Sequence, residues 1–180
     1  MTLPPVIGLI GRARAGKDTV AMLIKRGAPQ YDIVRLSHPI KAAACGLFGL
    51  SEAEVETNAK EQPNVILGGK TPRDAMVWLS EQTMKEYGQS FFMERLMSRH
   101  ANQPMKLVVD VRTASDVDTI RNLGGVIIGI RRPYNPIRHA HEDSIDDVRV
   151  DIDIINDSCH DSLRRVVDVI VSELKLDHHD

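Results

Sequence analysis

The chain of 180 residues is long enough for one well-buried core and hardly long enough for two. Its 42% hydrophobic and 27% charged residues are ordinary for a globular domain, and a net charge of −2 excludes the global basic field of a duplex-binding protein. No run approaches a membrane span and no basic region precedes an apolar signal core, so a cytoplasmic protein is expected; Cys45 and Cys159 then read as separate thiols, with a disulfide the alternative.

In chain order, Val6–Ile10 reads as a buried strand stopped by Gly11, and Lys17–Arg26 as a helix with Val20, Leu23 and Ile24 on one face and Gly27 as its C-terminal cap. Ile33–Leu36 reads as a second strand. Thr71-Pro72-Arg73-Asp74 combines an N-cap threonine, a first-turn proline and a first-turn acid, and predicts a helix to Tyr87 ended by Gly88. Trp78, Phe91 and Phe92 fall at helical positions and are expected in the core. Leu107–Val111 is a third strand, Ser115–Asp118 resembles a capping box, and Gly124-Gly125 closes the helix behind it. Val126–Ile130 and Ile152–Ile155 complete five strands, and Leu163, Val166, Val167, Ile170 and Leu174 stripe a final helix. Short apolar strands without clean alternation, separated by helices, predict a three-layer α/β fold: a mostly parallel five-stranded sheet with helices on both faces.

The strongest chemical signal is Gly11-Arg12-Ala13-Arg14-Ala15-Gly16-Lys17-Asp18-Thr19, placed between the first strand and the first helix. Backbone N–H groups there converge on an anion, the helix dipole assists, and Lys17 can reach β- and γ-phosphates. Asp18 stands where Ser or Thr usually follows the lysine; a carboxylate is a competent hard-cation ligand, directly or through water. The rival is a glycine-rich turn with no ligand.

Asp110, at the end of the third strand, is placed for a role near Mg²⁺ or a transferring phosphate, and Arg112 could meet a phosphate. Lys41 follows Ser37-His38-Pro39-Ile40. Arg73 opposes the dipole of its helix, which makes sense if it faces an anionic ligand; the alternative is a solvated surface arginine. Arg131 and Arg132 begin a Pro-, His- and charge-rich segment to Arg149 that reads as a lid or a polar loop. His139-Ala140-His141-Glu142 lacks the further ligands of a zinc site. The acidic stretch Asp143–Asp153 reads mainly as solvated surface.

Together these residues resemble the deoxynucleoside monophosphate kinases of tailed bacteriophages, a branch of the P-loop nucleoside monophosphate kinase group. The resemblance spans nearly the whole chain. It is carried by Gly11–Thr19 with its Gly-Lys-Asp-Thr ending, Ser37–Lys41, Thr71-Pro72-Arg73, Asp110-Val111-Arg112, Leu123-Gly124-Gly125 and Ile154-Ile155-Asn156-Asp157. It implies one kinase domain over residues 1–180, with an acceptor-binding helical region at about 38–105 and a lid at about 131–150. Lys17, Asp18 and Thr19 would handle ATP phosphates and Mg²⁺. Lys41, Arg73 and Arg112 would hold the acceptor monophosphate, Arg131 or Arg132 would serve the lid, and Glu142 would lie near the acceptor. Asn156 would lie beside adenine, although Ser158 and Cys159 follow where that loop often has a glycine and a small residue. A homodimer is plausible by the same resemblance. The partner expected is a small nucleotide, with no nucleic-acid polymer and no membrane. Rivals are a P-loop kinase for another phosphorylated metabolite, such as phosphomevalonate or dephospho-coenzyme A, and a nucleotide-binding regulator without turnover. A GTPase is disfavoured by the lack of an Asn-Lys-x-Asp motif and of Asp-x-x-Gly after the third strand.

Overall fold

Alternating apolar strands and amphipathic helices build a parallel sheet in the computed structural model, which describes residues 3–133, 148–157 and 159–176. The elements are β1 (Val6–Ile10), α1 (Lys17–Gly27), β2 (Asp32–Val34), α2 (Ser37–Phe48), α3 (Glu52–Glu56), a 3₁₀ turn (Asn58–Glu61), α4 (Pro72–Tyr87), α5 (Phe91–Arg99), β3 (Lys106–Val111), α6 (Ala114–Asn122), β4 (Val126–Arg131), β5 (Ile152–Ile155) and α7 (His160–Leu176). They form two compact units. One comprises the chain up to Arg35 and from Met93 onward; the other is Leu36–Phe92.

The first unit contains the five-stranded sheet, ordered β2-β3-β1-β4-β5, with every pair parallel. β1 is central and buried along its whole length, as a strand covered on both faces must be. Ile7, Leu9, Leu107, Val109, Ile128, Ile130 and Ile154 project to one face and meet Val20, Leu23 and Ile24 of α1 and Leu163, Val167, Ile170 and Leu174 of α7. Each fully buried aliphatic chain there contributes about 1.5–3 kcal/mol relative to exposure. α6 packs on β1 and β4 with Val117 and Ile120 buried. Tyr31 is buried completely and its hydroxyl donates to the Pro4 carbonyl at 2.6 Å, tying the entry of β2 to that of β1. Burial pushes its phenol well above the ordinary value.

The chain runs from β1 outward to β2, returns to β3 and then crosses to β4. The strand order therefore reverses beside β1, and the carboxyl ends of β1 and β3 flank a topological switch point, where open α/β sheets bind ligands.

The second unit is helical. Ala44, Leu50 and Val55 form its small core, with Phe48, Leu67, Met76 and Leu79 packed around them. α4 matches the expected helix from Pro72 to Tyr87, with Thr71 as N-cap in a capping box with Asp74.

Four local readings are corrected. The capping box of α6 is Thr113 with Asp116, two residues before the expected Ser115–Asp118, because Thr113 is the residue in extended geometry that can accept from the Asp116 N–H. β2 ends at Val34, before Arg35 and Leu36, because α2 follows almost at once. Gly27 is the last residue of α1, and the Ala28 N–H closes the helix on the Ile24 carbonyl at 2.8 Å. Trp78, expected in the core, is 51% exposed and packs edge-on against Phe48; a small helical core leaves the outer side of its indole in water. Among the described residues no helix is long and apolar enough to cross a membrane, and both cysteines are free.

Candidate nucleotide and phosphate sites

The loop between β1 and α1 is shaped by its own sequence. Arg14 and Gly16 adopt positive φ angles of 59° and 104°, and left-handed residues in such a turn fold backbone N–H groups into an anion-binding concavity. Gly11 cannot be replaced by a larger residue without meeting the backbone carbonyl of Ile130, and a β-carbon on Gly16 would collide with the side-chain amide of Asn156. The Ala15 N–H closes a turn on the Arg12 carbonyl at 3.2 Å. Lys17 opens α1 and bends back over the loop, its ammonium donating to the carbonyls of Gly11 and Arg12 at 2.6 and 2.9 Å. Asp18 and Thr19 occupy the next positions of α1, and Asp18 is paired with Arg35 at 2.6 Å.

The ends of the other strands surround this loop. Asp110 is the penultimate residue of β3 and is buried; Arg112 follows the strand and is exposed. The backbone N–H groups of Arg112 and Thr113 both donate to the Asp116 carboxylate, at 3.1 and 3.0 Å. Burial nevertheless pushes Asp116 above the ordinary carboxylate range: desolvation outweighs the bonds from Thr113 and Arg112, and the Asp110 charge adds to the shift. Arg131 ends β4 and is ion-paired with Asp153 of β5, and Arg132 is exposed. Asp151 accepts from the Ile127 N–H at 2.7 Å and pairs with Arg121, so this end of the acidic stretch is bonded into the sheet. Asn156 follows β5. Its N–H donates to the Arg131 carbonyl at 2.7 Å and its side-chain amide to the Ala15 carbonyl at 2.9 Å.

Gly11–Thr19, Asp110, Arg112, Arg131 and Asn156 thus share the carboxyl edge of one sheet. Lys41 and Arg73 belong to the other unit. Lys41 on α2 pairs with Glu56 at 2.5 Å, and Arg73 in the first turn of α4 pairs with Glu61 through Nε and Nη2 at 2.8 and 2.6 Å. The anion that Arg73 meets within the unit is the Glu61 carboxylate, so the arginine is neither solvated alone nor seen against a ligand. Glu142, His139 and His141 lie outside the described residues, as does most of the expected lid.

Sequence reasoning missed Arg35, Asp116, Glu56, Glu61 and Lys60. Lys60 stands in the 3₁₀ turn beside Glu61, close enough to Arg73 and Lys41 for both to disfavour its charge. The Asn58–Gln62 segment has no apolar periodicity, and nothing along the chain links it to residues 41 and 73. Asp116 could have been found by testing Thr113 as a cap.

No family model matches the chain. A protein of Acanthamoeba polyphaga mimivirus, provisionally named deoxynucleotide monophosphate kinase, is 28% identical over 151 residues, covering 71% of this chain and 74% of that protein. Among solved structures, shikimate kinase from Aquifex aeolicus superposes with a TM-score of 0.52 at 12% identity, over 96% of this chain and 99% of that one. Shikimate kinase from Acinetobacter baumannii in complex with shikimate gives 0.52 at 14% identity, over 99% and 97%. The Mycobacterium tuberculosis APS kinase in complex with AMPPNP and APS gives 0.50 at 14% identity, over 96% and 99%. With the phosphate loop at the end of a central parallel strand, these likenesses show that the chain has the α/β fold of P-loop kinases.

Proposed function

We propose that the protein transfers the γ-phosphoryl group of ATP to the 5′-phosphate of a deoxynucleoside monophosphate. The observation that carries this reading is the phosphate loop with Lys17 at its rim and buried Asp110 at the end of the adjacent strand. The named mimivirus relative supports the choice of acceptor.

The loop fits a triphosphate. Its left-handed turn folds backbone N–H groups towards an anion, the start of α1 favours negative charge, and Lys17 lies across the loop. Asp18, Thr19 and Asp110 supply the hard oxygen donors that suit Mg²⁺. When bound, that ion offsets charge on the phosphate oxygens. An acceptor phosphate oxygen attacks the γ-phosphorus in line as the bond to the β–γ bridging oxygen breaks, and ADP departs with that electron pair. The acceptor oxygen is already anionic, so no strong general base is required. Lys17 and the strand-end arginines, Arg112 and those of the lid segment, Arg131 and Arg132, hold the phosphates and offset charge on the transferring group. In the helical unit Lys41 and Arg73 hold the acceptor monophosphate, and their pairs with Glu56 and Glu61 keep both side chains ordered without it.

The test is a coupled ADP-release assay with Mg-ATP and dGMP, dTMP, dCMP, dAMP and their ribose counterparts. Acceptor-dependent turnover with a deoxynucleotide is expected, and Lys17→Ala should abolish it while the fold persists by circular dichroism. Silence with every nucleotide in protein that binds ATP would sink the acceptor assignment and favour another phosphorylated metabolite. Full activity in the Lys17 variant would sink the assignment of Lys17 and its loop to the reaction.

A further inference from the structure

The helical unit holds a cluster in which cations outnumber acids among the described residues. Lys41 comes from α2, Lys60 from the 3₁₀ turn and Arg73 from α4; the acids among them are Glu56 and Glu61. Among the described residues of this cluster, three cations stand with two carboxylates. Glu56 pairs with Lys41, and Glu61 with Arg73 in a two-nitrogen contact. Lys60 is half-buried, and among the described residues its ammonium has neither a hydrogen bond nor an ion pair.

A purely structural network has no use for this third cation. A half-buried ammonium loses hydration, and here it also faces two like charges. Desolvation is the largest cause that pulls Lys60 below the ordinary lysine value, followed by Arg73 and then Lys41, while Glu61 and Glu56 oppose the shift more weakly. A neutral side chain at position 60 would avoid the penalty. The arrangement suits an anion that needs several donors from different directions, and a phosphate monoester is a dianion near neutral pH with three equivalent terminal oxygens.

We propose that Lys60 binds the acceptor's phosphate monoester together with Lys41 and Arg73, and that Glu56 and Glu61 are internal counterions holding those two cations in position until the phosphate arrives. The assignment deepens the kinase reading and rests on it only for the group that carries the phosphate.

The test uses the full-length protein with its phosphate loop filled by saturating ADP, so that added phosphate reports on the helical unit. The probes are dGMP, dTMP and inorganic phosphate, followed by calorimetry and by the Lys60 ammonium signal in ¹⁵N-lysine-labelled protein, identified by its loss in Lys60→Arg. Lys60→Ala should weaken phosphate-bearing probes by about tenfold and leave ADP affinity unchanged, and Lys60→Arg should keep most of the affinity. In the wild-type chain, phosphate should raise the pH at which Lys60 titrates. An unmoved Lys60 signal at saturating probe would overturn the proposal, as would a Lys60→Ala affinity within about twofold of wild type. Equal loss of ADP affinity would overturn it too, because the effect would not be local. If inorganic phosphate binds through Lys60 while no nucleotide is turned over, the site stands and the nucleotide reading falls.

Discussion

The side-chain amide of Asn156 donates to the carbonyl of Ala15 across 2.9 Å, and its nitrogen lies 2.4 Å from where a β-carbon on residue 16 would stand. The end of β5 thereby pins the phosphate loop in its left-handed turn, joining two segments 141 positions apart. Gly16→Ala should lose about 1–3 kcal/mol from the strained φ alone, and the collision adds to it. Asn156→Ala by itself should cost about 0.5–1.5 kcal/mol and weaken ATP binding. The double variant should be more stable than the sum of the two losses, because removing the amide removes the collision. Strict additivity in denaturant unfolding would contradict the contact.

Asp18 offers its carboxylate to Arg35 at 2.6 Å, and both side chains are well exposed, at 74% and 41%. Such a pair contributes at most about 1 kcal/mol and is screened by salt. Arg35→Ala should therefore leave the melting temperature nearly unchanged. If Asp18 is a Mg²⁺ ligand, the same variant should lower the Mg²⁺ concentration for half-maximal activity, and Asp18→Ala should raise it. Activity titrated with Mg²⁺ at fixed ATP measures both.

Burial raises Asp116 above its unfolded-state value, with the Asp110 charge a lesser cause. The folded protein therefore binds this proton more tightly than the unfolded chain does. Stability from this group is fully present below the unfolded carboxylate value and is lost as pH rises towards the folded one. Asp116→Asn should flatten stability against pH across that window while its amide oxygen keeps accepting from Arg112 and Thr113. Asp110→Asn should lower the Asp116 value, observable by carboxyl-carbon NMR. An unchanged value would mean the two carboxylates do not sense each other.

Thr71 caps α4 and sets the backbone that carries Arg73. Its N–H, hydroxyl and the reciprocal bond from Asp74 close the box, and these bonds hold the Asp74 carboxyl below its ordinary value. Thr71→Ala should cost about 1 kcal/mol of stability and let Asp74 titrate at higher pH. Under the proposed function it should also raise KM for the acceptor more than it changes kcat. A kcat effect alone would place Arg73 outside acceptor binding.

The five strands and helices α1, α4, α6 and α7 were legible because burial imposes a local pattern, whereas α2 and α3, with few buried residues, gave no such pattern. Val6–Ile10 and Ile152–Ile155 stand where their apolar runs place them, and Thr71-Pro72 with Gly88 bracketed α4 through cap chemistry written in adjacent residues. The phosphate loop was equally plain, since its glycines, Lys17 and flanking elements are contiguous. The true cap of α6 was misread by two residues, because Thr113 and Ser115 both offer a hydroxyl and only backbone geometry separates them.

The sequence by itself determined the parallel α/β scaffold, the loop at the end of β1 and the cations worth watching, all from short-range periodicity and spacing. Only the tertiary structure decided what those groups touch. It set Asn156 against Ala15, Arg35 on Asp18, Glu56 and Glu61 on Lys41 and Arg73, and Lys60 beside them. Hydrogen bonds and ion pairs act over a few ångströms of space, and separation along the chain carries no record of that distance once the chain has folded back on itself.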